Sequence, residues 1–276
     1  MEPARPASKQ RASIAASPTI GAESSSLPSE RPPVSFDRTG IPVTWNGVGV
    51  ESRGVLMASA DYGFNHRGYG THQAITEMVR VGTTVLDVGC ASGYLMEHLR
   101  GTKGCHCLGI EPNPESASRA AALGFEVISE SALDALSAIE QPRQFDHLLF
   151  GDVLEHMVEP LRVLESYRSL LAPDGTIIVS LPNIVSLRAR FRIACGIWRY
   201  EEMGIFDRSH LRFFTIRTGQ ELLDKAGLSI VDKRFVGPLT FYGGRRFQGV
   251  TRLRPQVFAN GMVFAARPFG ALSSRF

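Results

Sequence analysis

The sequence predicts an α/β protein: a seven-stranded, mostly parallel sheet with helices on both faces and an antiparallel last strand. Three observations carry this. Short runs rich in Val, Ile, Leu and Phe alternate with helical patterns from Thr84 to Leu181. Those runs are apolar almost without interruption, as strands covered on both faces must be. The last two runs, Leu228 to Val236 and Met262 to Ala266, have no helical pattern between them, which points to an antiparallel hairpin closing the sheet.

Residues 1–35 are rich in Ser, Ala and Pro and lack periodicity, so they are expected to be a disordered tail. Residues 36–81 form an N-terminal loop and helical segment, in which Thr71 can cap a helix carrying Ile75, Met78 and Val79. The main domain spans 82–270. Its strands are Thr84 to Val88, Cys107 to Ile110, Phe125 to Ile128, Phe145 to Phe150 and Thr176 to Leu181, followed by the two late ones. Helices are expected over Tyr94 to Leu99, Pro114 to Leu123, Ala132 to Ile139 and Leu161 to Leu171. Pro173-Asp174-Gly175 reads as a turn. An insert at about 183–216 begins with an amphipathic helix, Ile184 to Cys195, and Thr218 to Ala226 forms another helix ended by Gly227.

The formal net charge of +3 does not mark a dedicated nucleic-acid binder. After Asp232 there are no acids, while Lys233, Arg234, Arg245, Arg246, Arg252, Arg254, Arg267 and Arg275 follow. This asymmetry suits an anionic partner such as a phosphate, carboxylate or nucleotide sugar, or simply a solvated basic surface. No apolar run reaches the roughly 18 residues that span a membrane, and the N-terminus lacks a secretory core. The four cysteines suggest no disulfide framework, and the spacing of Cys105-His106-Cys107 does not suit zinc, so a cytoplasmic protein is expected.

"VLDVGCASGYL", Val85 to Leu95, has a strand running into a glycine-rich turn and a helix. Glycines there let the backbone approach a ligand, and a helix start offers unpaired N–H groups. Asp87 would repel a pyrophosphate but pair with a cationic amino group. Glu111, at the end of the next strand, suits two ribose hydroxyls. A ligand with a ribose, a cationic amino-acid part and no phosphate is S-adenosylmethionine.

At this point the chain resembles the class I S-adenosylmethionine-dependent methyltransferases and their Rossmann-like sheet. The resemblance spans about Gly82 to Ala266 and rests on DVGCASG, Glu111 in GIEP, FDHLLFGDVLEH and LLAPDGTIIVSLPN. It implies that Asp87, Gly89, Cys90 and Gly93 surround the methionine part and that Glu111 holds the ribose. Glu130, Ser131 or Ala132 would then meet the adenine, and Asp152 would border the cofactor. Alanine stands at Ala91 where the family often has glycine, and its small size is expected to cost little.

"GDVLEHMVEP", Gly151 to Pro160, follows a strand, and a helix starting there would place Asp152, Glu155 and His156 on one face. "IFDRSHLRFFT", Ile205 to Thr215, adds His210. The insert resembles a subgroup from bacterial polysaccharide and natural-product pathways. The order acid, Glu-His, then distant His is also similar to two metal-assisted O-methyltransferase types, one of ubiquinone biosynthesis and one acting on the terminal 2′-hydroxyl of small RNAs. That resemblance implies Asp152, Glu155, His156 and His210 as ligands of Mg²⁺ or Zn²⁺, with Asp152 shorter than the usual glutamate. Three readings stay open: His156 or His210 as a metal-free general base, with Asp152 beside it; a divalent-ion site; and a cluster that only caps a helix and pins the insert.

The expected activity is methyl transfer to an oxygen of a small, anionic or glycosylated metabolite. N- or C-methylation, RNA 2′-O-methylation and an inactive cofactor-binding subunit are the alternatives. The Asp87/Glu111 pair and His156 weigh against the inactive subunit, and the tail lacks the basic–aromatic interleaving of an RNA binder.

Overall fold

The computed structural model describes residues 35–36, 42–43, 70–139, 143–237, 251 and 253–270. Most of the tail expected to be disordered, and three of the late arginines, Arg245, Arg246 and Arg252, lie outside these residues, as does Arg275. β1 (Ser35–Phe36) and β2 (Pro42–Val43) pair antiparallel in a two-stranded ladder of their own.

The main sheet has seven strands: β3 (Thr84–Val88), β4 (His106–Ile110), β5 (Glu126–Ile128), β6 (Phe145–Gly151), β7 (Leu171–Pro182), β8 (Leu228–Val236) and β9 (Gly261–Pro268). Their order is β5-β4-β3-β6-β7-β9-β8, and β9 alone runs antiparallel to its neighbours. The expected hairpin is therefore placed differently from a simple edge addition. β9 inserts between β7 and β8, which leaves β8 at the edge. Ser180 pairs with Val263 and Ile178 with Ala265, so β9 gains ladder partners on both sides. A short helix, α7 (Pro255–Phe258), precedes β9.

Successive residues of the central strands go to opposite faces, as a period of two demands. Leu86, Leu148, Phe150, Ile177 and Val179 enter one core with Val163 and Leu164 of α4 (Pro160–Tyr167) and Leu223 of α6 (Ile216–Lys225). Val85, Leu149 and Ile178 enter the other with Ile75 of α1 (Thr71–Met78) and Leu95 and Leu99 of α2 (Tyr94–Lys103). Helix α3 (Pro114–Ala122) starts with Asn113 accepting the Ser116 N–H at 3.0 Å and packs Ala120 near Cys90 and Met96.

Several local expectations are corrected. Gly70, not Thr71, is the N-cap of α1, and no side chain caps it. Ala132 to Ile139 contains only a 3₁₀ turn, Asp134–Ser137. The Pro173-Asp174-Gly175 segment stays within β7 as a bulge: Phe145 pairs with Leu171 and His147 with Thr176, so one residue of β6 faces four of β7. In the insert, α5 is Leu187–Ala194, later than expected, because Ser186 caps it through the Ala189 N–H. After β6 there is no α-helix until Pro160, only a 3₁₀ turn, Leu154–His156. Asp152, Glu155 and His156 therefore do not share an α-helical face.

Candidate functional site

The site forms at the carboxyl ends of β3, β4, β6 and β7, where parallel sheets place ligands. β3 runs into a turn that needs left-handed backbone: φ is +80° at Gly89 and +82° at Gly93. A Cβ on Gly89 would lie 2.4 Å from Val153 Cγ2, and one on Gly93 3.0 Å from Ala120 Cβ, so glycine answers close approach as well as torsion. The Gly89 and Cys90 N–H groups both donate to the Ile110 carbonyl, at 2.8 and 3.0 Å, which pins the turn to β4. Ala91 also sits at φ +48°. Alanine is expected to cost little there for its size; at this φ its Cβ strains the backbone. Cys90 turns its thiol inward, against Gly109 and Met96, so any contact it makes with a ligand is through its backbone.

Asp87 is 3% exposed, and burial, with the Glu111 carboxylate beside it, raises its pKa to about 7. Glu111 accepts the Ala91 N–H at 2.9 Å and the Asn113 N–H at 2.8 Å, joining the glycine turn to the end of β4. Burial raises its pKa against the pull of those two donors. Two buried acids side by side favour a ligand that brings positive charge and hydroxyl donors. Ser131 donates to Asp134 Oδ2 at 2.5 Å after β5, in the region expected to meet adenine.

At the end of β6, Asp152 takes φ +52°, and its N–H and carboxylate both bind the Ser180 hydroxyl of β7, at 2.7 and 2.8 Å. Asp152 is exposed to solvent although protein surrounds it; desolvation raises its pKa and Ser180 lowers it. Ser180 was not singled out from sequence, since a serine in a strand carries no motif.

The insert meets the β6 exit through backbone contacts. The Glu155 carbonyl accepts the Leu211 and Arg212 N–H groups at 2.8 and 2.9 Å. The His156 Nδ1–H donates to the Ser209 carbonyl at 3.2 Å, which leaves Nε2 with a free lone pair. The His156 and His210 rings meet edge to face with centroids 4.7 Å apart. Glu155, His156 and His210 each offer a ligand atom, all within 4.8 Å of one another. Asp152 is outside this group, so the structure brings together three of the four residues expected to bind metal. Glu155 is 1% exposed; its Oε1 lies 3.9 Å from His210 Nε2, and its Oε2 is buried without a hydrogen-bond partner. Burial raises the Glu155 pKa well above the carboxylate range and lowers those of both histidines. Asp207, also missed from sequence, is buried and accepts the Ser209 N–H and hydroxyl at 2.8 and 2.5 Å, which sets the loop carrying His210. An acid three residues before the distant histidine was the available signal.

The strand order and the acid-bordered glycine turn are those of the class I S-adenosylmethionine-dependent methyltransferase fold. A family model described as a methyltransferase domain matches residues 65–233, and the chain belongs to that family. The chain is 33% identical over 107 residues to a ubiquinone biosynthesis O-methyltransferase of Paraburkholderia phytofirmans, covering 37% of this chain and 45% of that protein. It is 30% identical over 161 residues to the protein of that name from Cereibacter sphaeroides, covering 55% and 63%. These matches span roughly half the length of those relatives. A solved S-adenosylmethionine-dependent methyltransferase of Archaeoglobus fulgidus shares the fold with a TM-score of 0.51 at 17% identity, covering 71% of this chain and 94% of that one.

Proposed function

We propose that the protein transfers the methyl group of S-adenosylmethionine to a hydroxyl oxygen of a small molecule, and that Glu155, His156 and His210 hold a divalent cation at the acceptor. One observation carries the second part: a ligand atom from each of Glu155, His156 and His210 converges within 4.8 Å, in a cluster where the buried Glu155 Oε2 has no hydrogen-bond partner. One carboxylate and two imidazoles suit a borderline cation such as Zn²⁺ as well as Mg²⁺ with added waters. A cation bound there supplies positive charge that favours the alkoxide form of the acceptor.

The chain's own residues do the rest. Asp87 neutralises the ammonium of the cofactor, and Glu111 accepts from its ribose. The glycine turn admits the methionine part. Methyl transfer forms an O–C bond and breaks the C–S bond, whose pair stays on the neutral thioether, while the acceptor gives its proton to solvent water. Ubiquinone biosynthesis relatives support oxygen as the acceptor atom. Arg212, two residues after His210 in sequence and without a carboxylate partner among the described residues, supports an anionic acceptor.

A second reading is favoured by the His156 tautomer. Its Nδ1–H is committed to Ser209, so Nε2 can take the acceptor proton with no metal present. The two readings separate in one assay of labelled methyl transfer to a panel of hydroxylated acceptors. Chelator should abolish transfer, an added divalent ion should restore it, and Glu155→Gln should be as harmful as His210→Ala. Activity that survives chelator with full turnover sinks the cation and leaves His156 as base. No cofactor binding in calorimetry sinks both.

A further inference from the structure

We propose that the outward face of α5 and the loop after it form a docking surface for an anionic phospholipid bilayer. Among the described residues, nine of the fourteen exposed large apolar side chains fall between Leu187 and Phe213. A surface helix normally turns its apolar stripe inward. In α5 only Ala189 is buried, while Leu187 and Phe191, one turn apart, point outward and are 50% and 68% exposed. Arg188 and Arg190 flank them at helical spacing, and both are exposed. The chain then stays exposed from Ile193 to Tyr200. Trp198 is not loose: its ring lies edge-on to Phe206 at 5.2 Å and to Phe213 at 5.7 Å. Exposed apolar side chains gathered along one segment, with Trp198 anchored at its centre, mark an interaction site.

Its charge chooses the occupant. From Leu187 to Phe213 six arginines face three acids. Of the acids, Asp207 is buried, Glu201 is taken by Arg192 and Arg188, and Glu202 by Arg208. Neither Arg190 nor Arg199 has an acidic partner among the described residues. A second copy of this chain on a two-fold axis would set this arginine-rich face against itself, with like charges opposed. Lipid phosphates instead meet the guanidinium groups, whose stems lie along the apolar centre, and Trp198 and Tyr200 suit the headgroup boundary. The face is continuous with the site, since the Phe213 ring lies 6.3 Å from that of His210. Docking would therefore bring Glu155, His156 and His210 close to molecules held at a membrane surface. This is peripheral binding; no helix among the described residues is long and apolar enough to cross a membrane.

The test is sedimentation of the full chain with vesicles of phosphatidylcholine alone or mixed equally with phosphatidylglycerol, at low and high salt. Partition into the anionic vesicles should exceed that into the neutral ones at least about tenfold and fall with salt. Phe191→Ser with Trp198→Ser should lower it at least about tenfold. Arg190→Glu with Arg199→Glu should lower it about 25-fold or more, at roughly fivefold per arginine. Both variants should keep S-adenosylhomocysteine affinity and far-ultraviolet dichroism, and the exposed arginine pair keeps the test decisive if the aromatic pair misfolds. Equal partition into neutral vesicles, none into either, or unchanged partition of the arginine variant would overturn the proposal. So would a concentration-dependent dimer in light scattering that the Phe191→Ser change abolishes, because the face would then belong to a second copy. The measurement involves no acceptor and no methyl transfer, so its failure leaves the proposed activity standing.

Discussion

Replacing Asp87 by Asn should stabilise the ligand-free protein while weakening its hold on the cofactor. In the fold the Asp87 pKa rises from 3.8 to about 7, first through burial and then through Glu111. A raised acid contributes full stability below its unfolded value, loses it as pH climbs through the folded value, and stays low above. The shift corresponds to about 4 kcal/mol at alkaline pH, and to about 1–2 kcal/mol at pH 5, where only the unfolded chain is ionised. Asn carries no charge and escapes this cost. The stability gain of Asp87→Asn at pH 8 should therefore exceed the gain at pH 5 by about 2–3 kcal/mol, roughly 5–10 °C in Tm for a domain of this size. Calorimetry should show the opposite for S-adenosylhomocysteine: affinity lower by about 10–100-fold, as a hydrogen bond to a charged group is lost. Wild-type binding should release protons near pH 7, because an ammonium beside Asp87 favours its ionised form. The reasoning fails if the variant gains equally at both pH values, or is less stable than wild type at pH 8. Unchanged affinity would remove Asp87 from the cofactor site.

Three further outcomes follow from single residues. Ala91→Gly should raise stability by about 1 kcal/mol in denaturant titration with cofactor affinity unchanged, because a left-handed backbone strains alanine and not glycine; a loss would show that the φ of +48° is not adopted in solution. His147 is buried, its Nε2 accepts the Arg80 N–H at 3.1 Å, and burial lowers its pKa from 6.5 to about 4. The unfolded chain therefore takes up a proton that the fold refuses, and stability should drop by about 2–3 kcal/mol between pH 7 and 4.5 on this account, a drop that His147→Gln should remove. Asp207→Ala frees Ser209 and the loop of His210, so turnover should fall about 10–100-fold while S-adenosylhomocysteine binds as before; weakened cofactor binding would show a general loss of structure instead.

The parallel sheet was legible because buried strands need continuous apolar runs and leave little else to arrange. Val85 to Val88 and Leu148 to Phe150 could lie only inside a layered fold. The glycine turn was legible for a similarly local reason: Gly89 and Gly93 need torsions that other residues resist, and Asp87 and Glu111 stand at strand ends fixed by the alternation. Where one residue's role depends on another far along the chain, sequence was silent. β9 lies between β7 and β8 because both its edges find ladder partners there, a choice made by hydrogen bonds across the sheet. The acids and histidine after β6 looked like one face of a helix, because spacing is read on the assumption of a helix. In the fold, Pro160 starts α4 later, Ser180 takes Asp152 aside, and the backbone of Glu155 receives Leu211 and Arg212. The cluster is therefore made of Glu155, His156 and His210, joined across more than fifty residues by contacts that only tertiary packing creates. The same packing buries Ala189 and leaves Phe191 facing outward, a direction that helical period alone cannot assign.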